Sequence, residues 1–247
     1  MRYFHLLVFI LIIGCNDMNE DKLKIVFLGD SITEAGVYDK DVGIENNGEL
    51  IYPKYTGFIT FLAPSISENT KLVGKGISGD KVSDLLTRYK KDVIDLDPDI
   101  VFIYIGINDV WHKYDFGTGS DIDLYENGLT QIISEIQRIG AKVVLCTPTV
   151  IGENYGDFTL ANQYVEQYRD AETMKSMNED LDAFSDVVRK LASEYSTDLI
   201  DLRRIFIDYI SKNNPNNNPS GILTYDGVHL NDRGNKLIAD QMINFIN

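Results

Sequence analysis

The chain has 247 residues, 44% of them hydrophobic, with 38 Asp and Glu against 23 Lys and Arg and a formal net charge of −15. That length suits one α/β domain able to bury a core without staples, and a surface so acidic repels phosphate backbones, which excludes nucleic acid as a partner. Two cysteines and three histidines, none of them clustered, exclude a zinc site built on His and Cys and leave only an oxygen-ligated cation open.

Residues 1–14 carry one Arg and then the continuous apolar run 6–13, the pattern of a signal peptide and too short to span a bilayer as a mature helix. Ile12-Ile13-Gly14-Cys15 resembles a bacterial lipobox, in which Cys15 is diacylated and becomes the first mature residue. Ordinary secretory cleavage with an incidental Cys15 is the alternative, and the lack of a nearby small-x-small site speaks against it. The expectation is an extracytoplasmic lipoprotein, periplasmic or at the cell surface, held to the membrane by its N-terminal lipid. Residues 15–22 then form the lipidated Cys and a short polar tether, and the folded domain occupies 23–247.

Five short apolar segments, 23–28, 71–77, 100–107, 141–147 and 198–202, read as strands. Between and after them, residues 55–66, 81–96, 124–139, 180–195 and 232–245 place apolar side chains at helical spacing. Strand and helix alternate, which predicts a parallel five-stranded sheet covered on both faces. Four irregular segments remain, at 37–54, 111–123, 148–163 and 211–225. In an open α/β sheet, ligands bind beyond the carboxyl ends of the strands. The first three segments would therefore rim a pocket, bringing Tyr38, Tyr52, Trp111, Tyr114, Phe116, Tyr155 and Phe158. Such aromatics either pin their loops or hold a sugar ring or acyl chain.

Ser31 in Gly29-Asp30-Ser31-Ile32-Thr33 sits at the first strand-to-helix corner. It could be a nucleophile, or it could form a capping box with Glu34. A serine nucleophile needs a base, an orienting group for the base, and donors for an oxyanion. His229 is the better base candidate because Asp226 lies three residues before it in a turn ahead of the last helix, although Asp226-Gly227 could also be a plain turn dipeptide. His112 has no such carboxylate and reads as a pocket wall. Asn108, just past the most apolar strand, could donate its amide to an oxyanion or serve as an Asx-turn. Gly79 lies where a strand gives way to a helix, a good place for an anion-binding N–H, with Asp80 as the helix cap. Cys146 lies in an apolar strand and reads as an inert buried thiol. Gly74-x-Gly76-x-x-Gly79 spells the dinucleotide fingerprint, with Asp109 as a possible ribose acid, but a full strand and helix precede it where the fingerprint belongs in the first βαβ unit.

Four blocks in order, Gly29-Asp30-Ser31-Ile32-Thr33, Ile77-Ser78-Gly79-Asp80, Gly106-Ile107-Asn108-Asp109 and Asp226-Gly227-Val228-His229-Leu230, resemble the GDSL, or SGNH, hydrolases. The resemblance implies a flavodoxin-like three-layer α/β/α sandwich and no cofactor. It implies Ser31 as nucleophile, His229 as base and Asp226 as its orienter, with the N–H groups of Ser31 and Gly79 and the Asn108 amide as oxyanion donors. One departure is Gly74-Lys75, where many members carry Asn-Arg. The expected activity is hydrolysis of a small-molecule or glycan ester, with carbohydrate deacetylation first and acyl-lipid cleavage second. A silent glycan-binding lipoprotein and a dinucleotide-binding protein are the rivals from other classes.

Overall fold

The computed structural model describes residues 22–35, 45–46, 49–50, 57–154, 156, 158–161 and 166–246. Its core is a five-stranded parallel sheet. The strands are β1 (Leu23–Gly29), β2 (Thr70–Gly76), β3 (Ile100–Tyr104), β4 (Lys142–Cys146) and β5 (Asp198–Ile200), in the order β2-β1-β3-β4-β5. Helices flank it: α1 (Ser31–Glu34), α2 (Phe58–Leu62), α3 (Val82–Asp92), α4 (Ile107–Asp115), α5 (Ile122–Arg138), α6 (Ala171–Glu194), α7 (Leu202–Asn213) and α8 (Asp232–Met242). Two short antiparallel ribbons pair Glu45–Asn46 with Glu49–Leu50 and Phe158–Ala161 with Glu166–Arg169.

The central strands β1, β3 and β4 are largely apolar because both sheet faces are covered there. Every residue of β3 is buried, as are Ile25 to Leu28 of β1, and Phe27 stacks on Phe102 at 5.1 Å between ring centres. The strand order is the flavodoxin-like one, in which the direction of winding across the sheet reverses between β1 and β3 while every strand stays parallel. In such sheets the ligand crevice lies past the carboxyl ends of those two strands, where Gly29 pairs with Tyr104 here. Ser31 follows the first strand and Asn108 the second.

Several boundaries differ from the sequence expectation, each for a local reason. The helix expected at 55–66 is reduced to α2 and a 3₁₀ turn, Ala63–Ser65, which accommodates Pro64. The one expected at 81–96 ends at Asp92 and is followed by a separate 3₁₀ turn, Ile94–Leu96. The strand expected to reach 107 stops at Tyr104, and Gly106, at φ 130°, opens α4 where part of a rim loop was expected. α6 begins at Ala171 rather than 180, capped by the Asp170 carboxylate, which accepts from Thr173 N at 2.8 Å. α7 was not anticipated; its buried Leu202, Phe206 and Ile210 lie four apart on one face.

The expectations for Cys15, the tether up to residue 21, Tyr38, Tyr52 and Tyr155 fall outside the described residues. Among the described residues, no helix is long and apolar enough to cross a membrane.

Candidate active site

The corner after β1 is built by close backbone approach. A Cβ on Gly29 would overlap Thr33 Oγ1 and the Tyr104 carbonyl, and one on Gly76 would overlap Glu34 N and the Asp30 carbonyl. Asp30 caps α1 by accepting from Ile32 N at 3.0 Å. The capping-box reading of Ser31 is thereby corrected: Ser31 is the first helical residue, and its hydroxyl is not used as the cap. The Ser31 Oγ instead lies 3.1 Å from His229 Nε2. Glu34 turns away from its own helix start, and one carboxylate oxygen accepts from Ser78 N at 2.8 Å and from the Ser78 hydroxyl.

Behind His229, Nδ1 lies 2.7 Å from Asp226 Oδ2. The other carboxylate oxygen, Oδ1, accepts from Val228 N at 3.0 Å and His229 N at 2.7 Å. Asp226 therefore makes a turn and orients the imidazole at once; the two sequence readings were not exclusive. Gly227 takes φ 90°, a conformation that favours glycine, and its carbonyl accepts from Gly152 N at 2.7 Å. Tyr225 stacks on the imidazole with ring centres 5.7 Å apart, and the edge of Trp111 approaches it at 6.5 Å.

Glu153 holds this loop from the far side, and nothing in its own neighbourhood of sequence announces it. Its buried carboxylate accepts from Ile222 N at 2.7 Å, from Leu223 N and Thr224 N at 2.6 Å each, and from the Thr224 hydroxyl at 2.9 Å. The Thr224 hydroxyl oxygen in turn accepts from Gly227 N at 3.0 Å. One carboxylate from the loop after β4 thus fixes the segment that carries Asp226 and His229.

Asn108 is buried in the first turn of α4, and its Nδ2 donates to the Asp80 carbonyl at 3.0 Å. An amide nitrogen carries two hydrogens, so this bond fixes the side chain and leaves a second N–H to offer. Gly79, at φ 84°, forms the adjoining turn, with the His112 ring edge 4.0 Å from where a Cβ would sit. His112 packs edge-on against Phe116 beside this turn.

Two further expectations are corrected. Asp80 is not the cap of α3: Lys81 holds that position, Asp84 accepts from Lys81 N at 2.9 Å, and the Asp80 carboxylate pairs with Arg88 at 2.6 Å. Asp109 is not placed to read a ribose, because it is buried and accepts from Val82 N at 3.0 Å, closing the start of α3. With Gly76 needed for the corner and the α3 terminus occupied, the dinucleotide fingerprint is a coincidence of spelling.

Electrostatics set the protonation states. Burial pulls the His229 pKa down, but the hydrogen bond and charge of Asp226 outweigh it and the net shift is upward from 6.5. For Asp226, burial pushes the carboxyl up, yet the His229 hydrogen bond and charge, with the backbone donors, leave it below 3.8. Burial raises Asp30 to about 7 against the opposing Ile32 hydrogen bond and the His229 charge. Burial alone pushes the Cys146 thiol well up, so it stays protonated and inert.

Residues 25–242 match the model of the GDSL-like lipase/acylhydrolase family. The chain belongs to this family. The chain is 29% identical over 224 residues to the acetylxylan esterase of Geobacillus stearothermophilus, covering 87% of this chain and 90% of that protein. It is 24% identical over 247 residues to the uncharacterized lipoprotein YqeF of Bacillus subtilis (strain 168), covering 97% and 96%. Among solved structures, the acetyl xylan esterase AlAXEase shares 38% identity and a TM-score of 0.73, over 91% of this chain and all of that one. Catalytic mutants of the Geobacillus esterase, with a Ser, an Asp or a His replaced by Ala, superpose with TM-scores of 0.69, 0.70 and 0.69. The protein is a carboxylic ester hydrolase with the α/β/α architecture of those enzymes.

Proposed function

We propose that the protein is a serine esterase that removes acetyl groups from carbohydrate, using Ser31, His229 and Asp226 as its triad. The observation that carries this is the continuous chain from Ser31 Oγ through His229 to Asp226, at 3.1 and 2.7 Å, beside the β1/β3 crevice. Its similarity to acetylxylan esterases, whose catalytic mutants replace the same three residue types, supports both the triad and the acetyl group as the one removed.

In this mechanism His229 Nε2 takes the Ser31 hydroxyl proton as the oxygen attacks the acetyl carbonyl, and Asp226 stabilises the imidazolium. The Ser31 and Gly79 N–H groups and the Asn108 amide receive the oxyanion. His229 returns its proton to the departing sugar oxygen, leaving acetyl-Ser31. Water, deprotonated by the same imidazole, then releases acetate and regenerates the serine. A series of nitrophenyl esters tests the acyl preference: turnover should peak sharply at acetate, and turnover that rises toward long acyl chains would favour lipid cleavage instead.

Anchoring through diacylated Cys15 belongs to the same reading and draws support from the lipoprotein relative. The full chain expressed in bacteria is expected to partition into the detergent phase, and Cys15→Ala into the aqueous phase. Equal partitioning of the two would refute the anchor.

A further inference from the structure

One guanidinium bonds directly to two of the segments to which the proposed mechanism assigns an oxyanion donor, and its partner Asp80 holds the third. Arg88, on α3 with its side chain 13% exposed, donates through Nη2 to the Gly29 carbonyl at 2.8 Å and through Nη1 to the Lys75 carbonyl at 2.9 Å. Its Nε donates to Asp80 Oδ2 at 2.6 Å, and Nη1 also donates to Asp92 Oδ2 at 2.9 Å on its own helix. Gly29 lies two residues before Ser31. Asp80 directly follows Gly79, and its carbonyl accepts from Asn108 Nδ2 at 3.0 Å. Lys75 lies at the end of β2, just ahead of the Ser78-Gly79 turn.

We propose that Arg88 is a positioning residue for the oxyanion hole, fixing the Ser31 corner, the Gly79 turn and Asn108 relative to one another. The proposal rests on the esterase reading. Its physical basis is the shape of the donor: a rigid planar fork satisfies two carbonyls and two carboxylates together, whereas an ammonium is a single point of charge. The neighbouring Lys75 illustrates the difference, since its ammonium meets a single carboxylate among the described residues, Asp92, at 3.6 Å. Arg88 touches no reacting atom, so its effect is confined to how well the donors meet the transition state. Donors displaced by a fraction of an ångström bind the ground state nearly as before and lose mainly kcat.

The experiment is a double-mutant cycle of Arg88→Met and Asn108→Ala on an aryl acetate, with active sites counted by fluorophosphonate titration so that misfolded protein does not enter kcat. Arg88→Lys serves as a second, milder variant. Arg88→Met should lower kcat per titrated site by about 10²-fold, the scale of a small misplacement of catalytic groups, with KM nearly unchanged. Arg88→Lys should recover only part of that loss. The double variant should lose less than the product of the single losses, because both changes act on the same donors. A kcat per site within about twofold of wild type in both Arg88 variants, a change confined to KM, or losses that simply multiply would overturn the proposal. Failure of the wild type to turn over any ester would overturn the esterase reading itself, and with it this role.

Discussion

Ser31→Ala is expected to lower kcat on aryl acetates by about 10⁶-fold, the scale seen when a triad nucleophile is removed, while leaving thermal stability essentially unchanged. Both halves of the result matter. The hydroxyl lies 3.1 Å from His229 Nε2, and the buried, protonated Cys146 thiol offers no replacement nucleophile. Were Ser31 the helix cap, its loss would cost about 1 kcal/mol of stability. The cap is Asp30, so truncating Ser31 should change stability by no more than about 0.5 kcal/mol. Parallel kcat and thermal-melt measurements check this, and a variant that melts lower yet keeps its activity would reverse the assignment.

Asp226→Asn is expected to cost about 10⁴-fold in kcat by the logic of the wrong tautomer. The backbone N–H groups of Val228 and His229 both point at Oδ1, so they will hold the amide oxygen there and place the amide NH₂ against His229 Nδ1. That ring nitrogen must then accept, which puts the proton on Nε2, facing Ser31, where a base is needed. The pH profile carries a second signature. His229 works when neutral, and its pKa is raised above 6.5 because the Asp226 interactions outweigh burial. Wild-type activity should therefore fall as pH drops through a midpoint above 6.5. Without the Asp226 charge, burial dominates, and the residual activity of the variant should fall at lower pH than in the wild type. An acid limb that stays in place in Asp226→Asn would contradict the pairing.

The parts of the fold legible in the sequence are those written in runs and periods. β1, β3 and β4 are continuous apolar runs because helices cover both sheet faces, and two of the chemistry-bearing residues stand just past their ends. Ser31 and Asn108 could be picked out for that reason, and Asp226 and His229 by their spacing in the turn ahead of the last helix. α7 was obscured because Arg203 is buried among apolar neighbours, satisfied by Asp182, Asn178 and the Thr149 carbonyl, and so interrupts the pattern a helix should show. α4 was obscured by Gly106 and the Asn108-Asp109 pair, which spell a turn.

Capping was ambiguous for a different reason. Asp30 and Ser31 are both good caps and are adjacent, so only the backbone decides which one is used. The supports of the site were illegible altogether: Glu153 bonds to residues 69 to 71 positions away and Arg88 to a carbonyl 59 positions away. No local pattern records contacts over such separations.

The central claim, that Ser31 is the nucleophile, is tested most directly by treating the wild-type protein with a fluorophosphonate and locating the adduct by peptide mass spectrometry. The account predicts a single adduct on Ser31, complete loss of ester hydrolysis in proportion to labelling, and greatly slowed labelling in Asp226→Asn. An adduct on another residue, or full activity in protein labelled at Ser31, would contradict it.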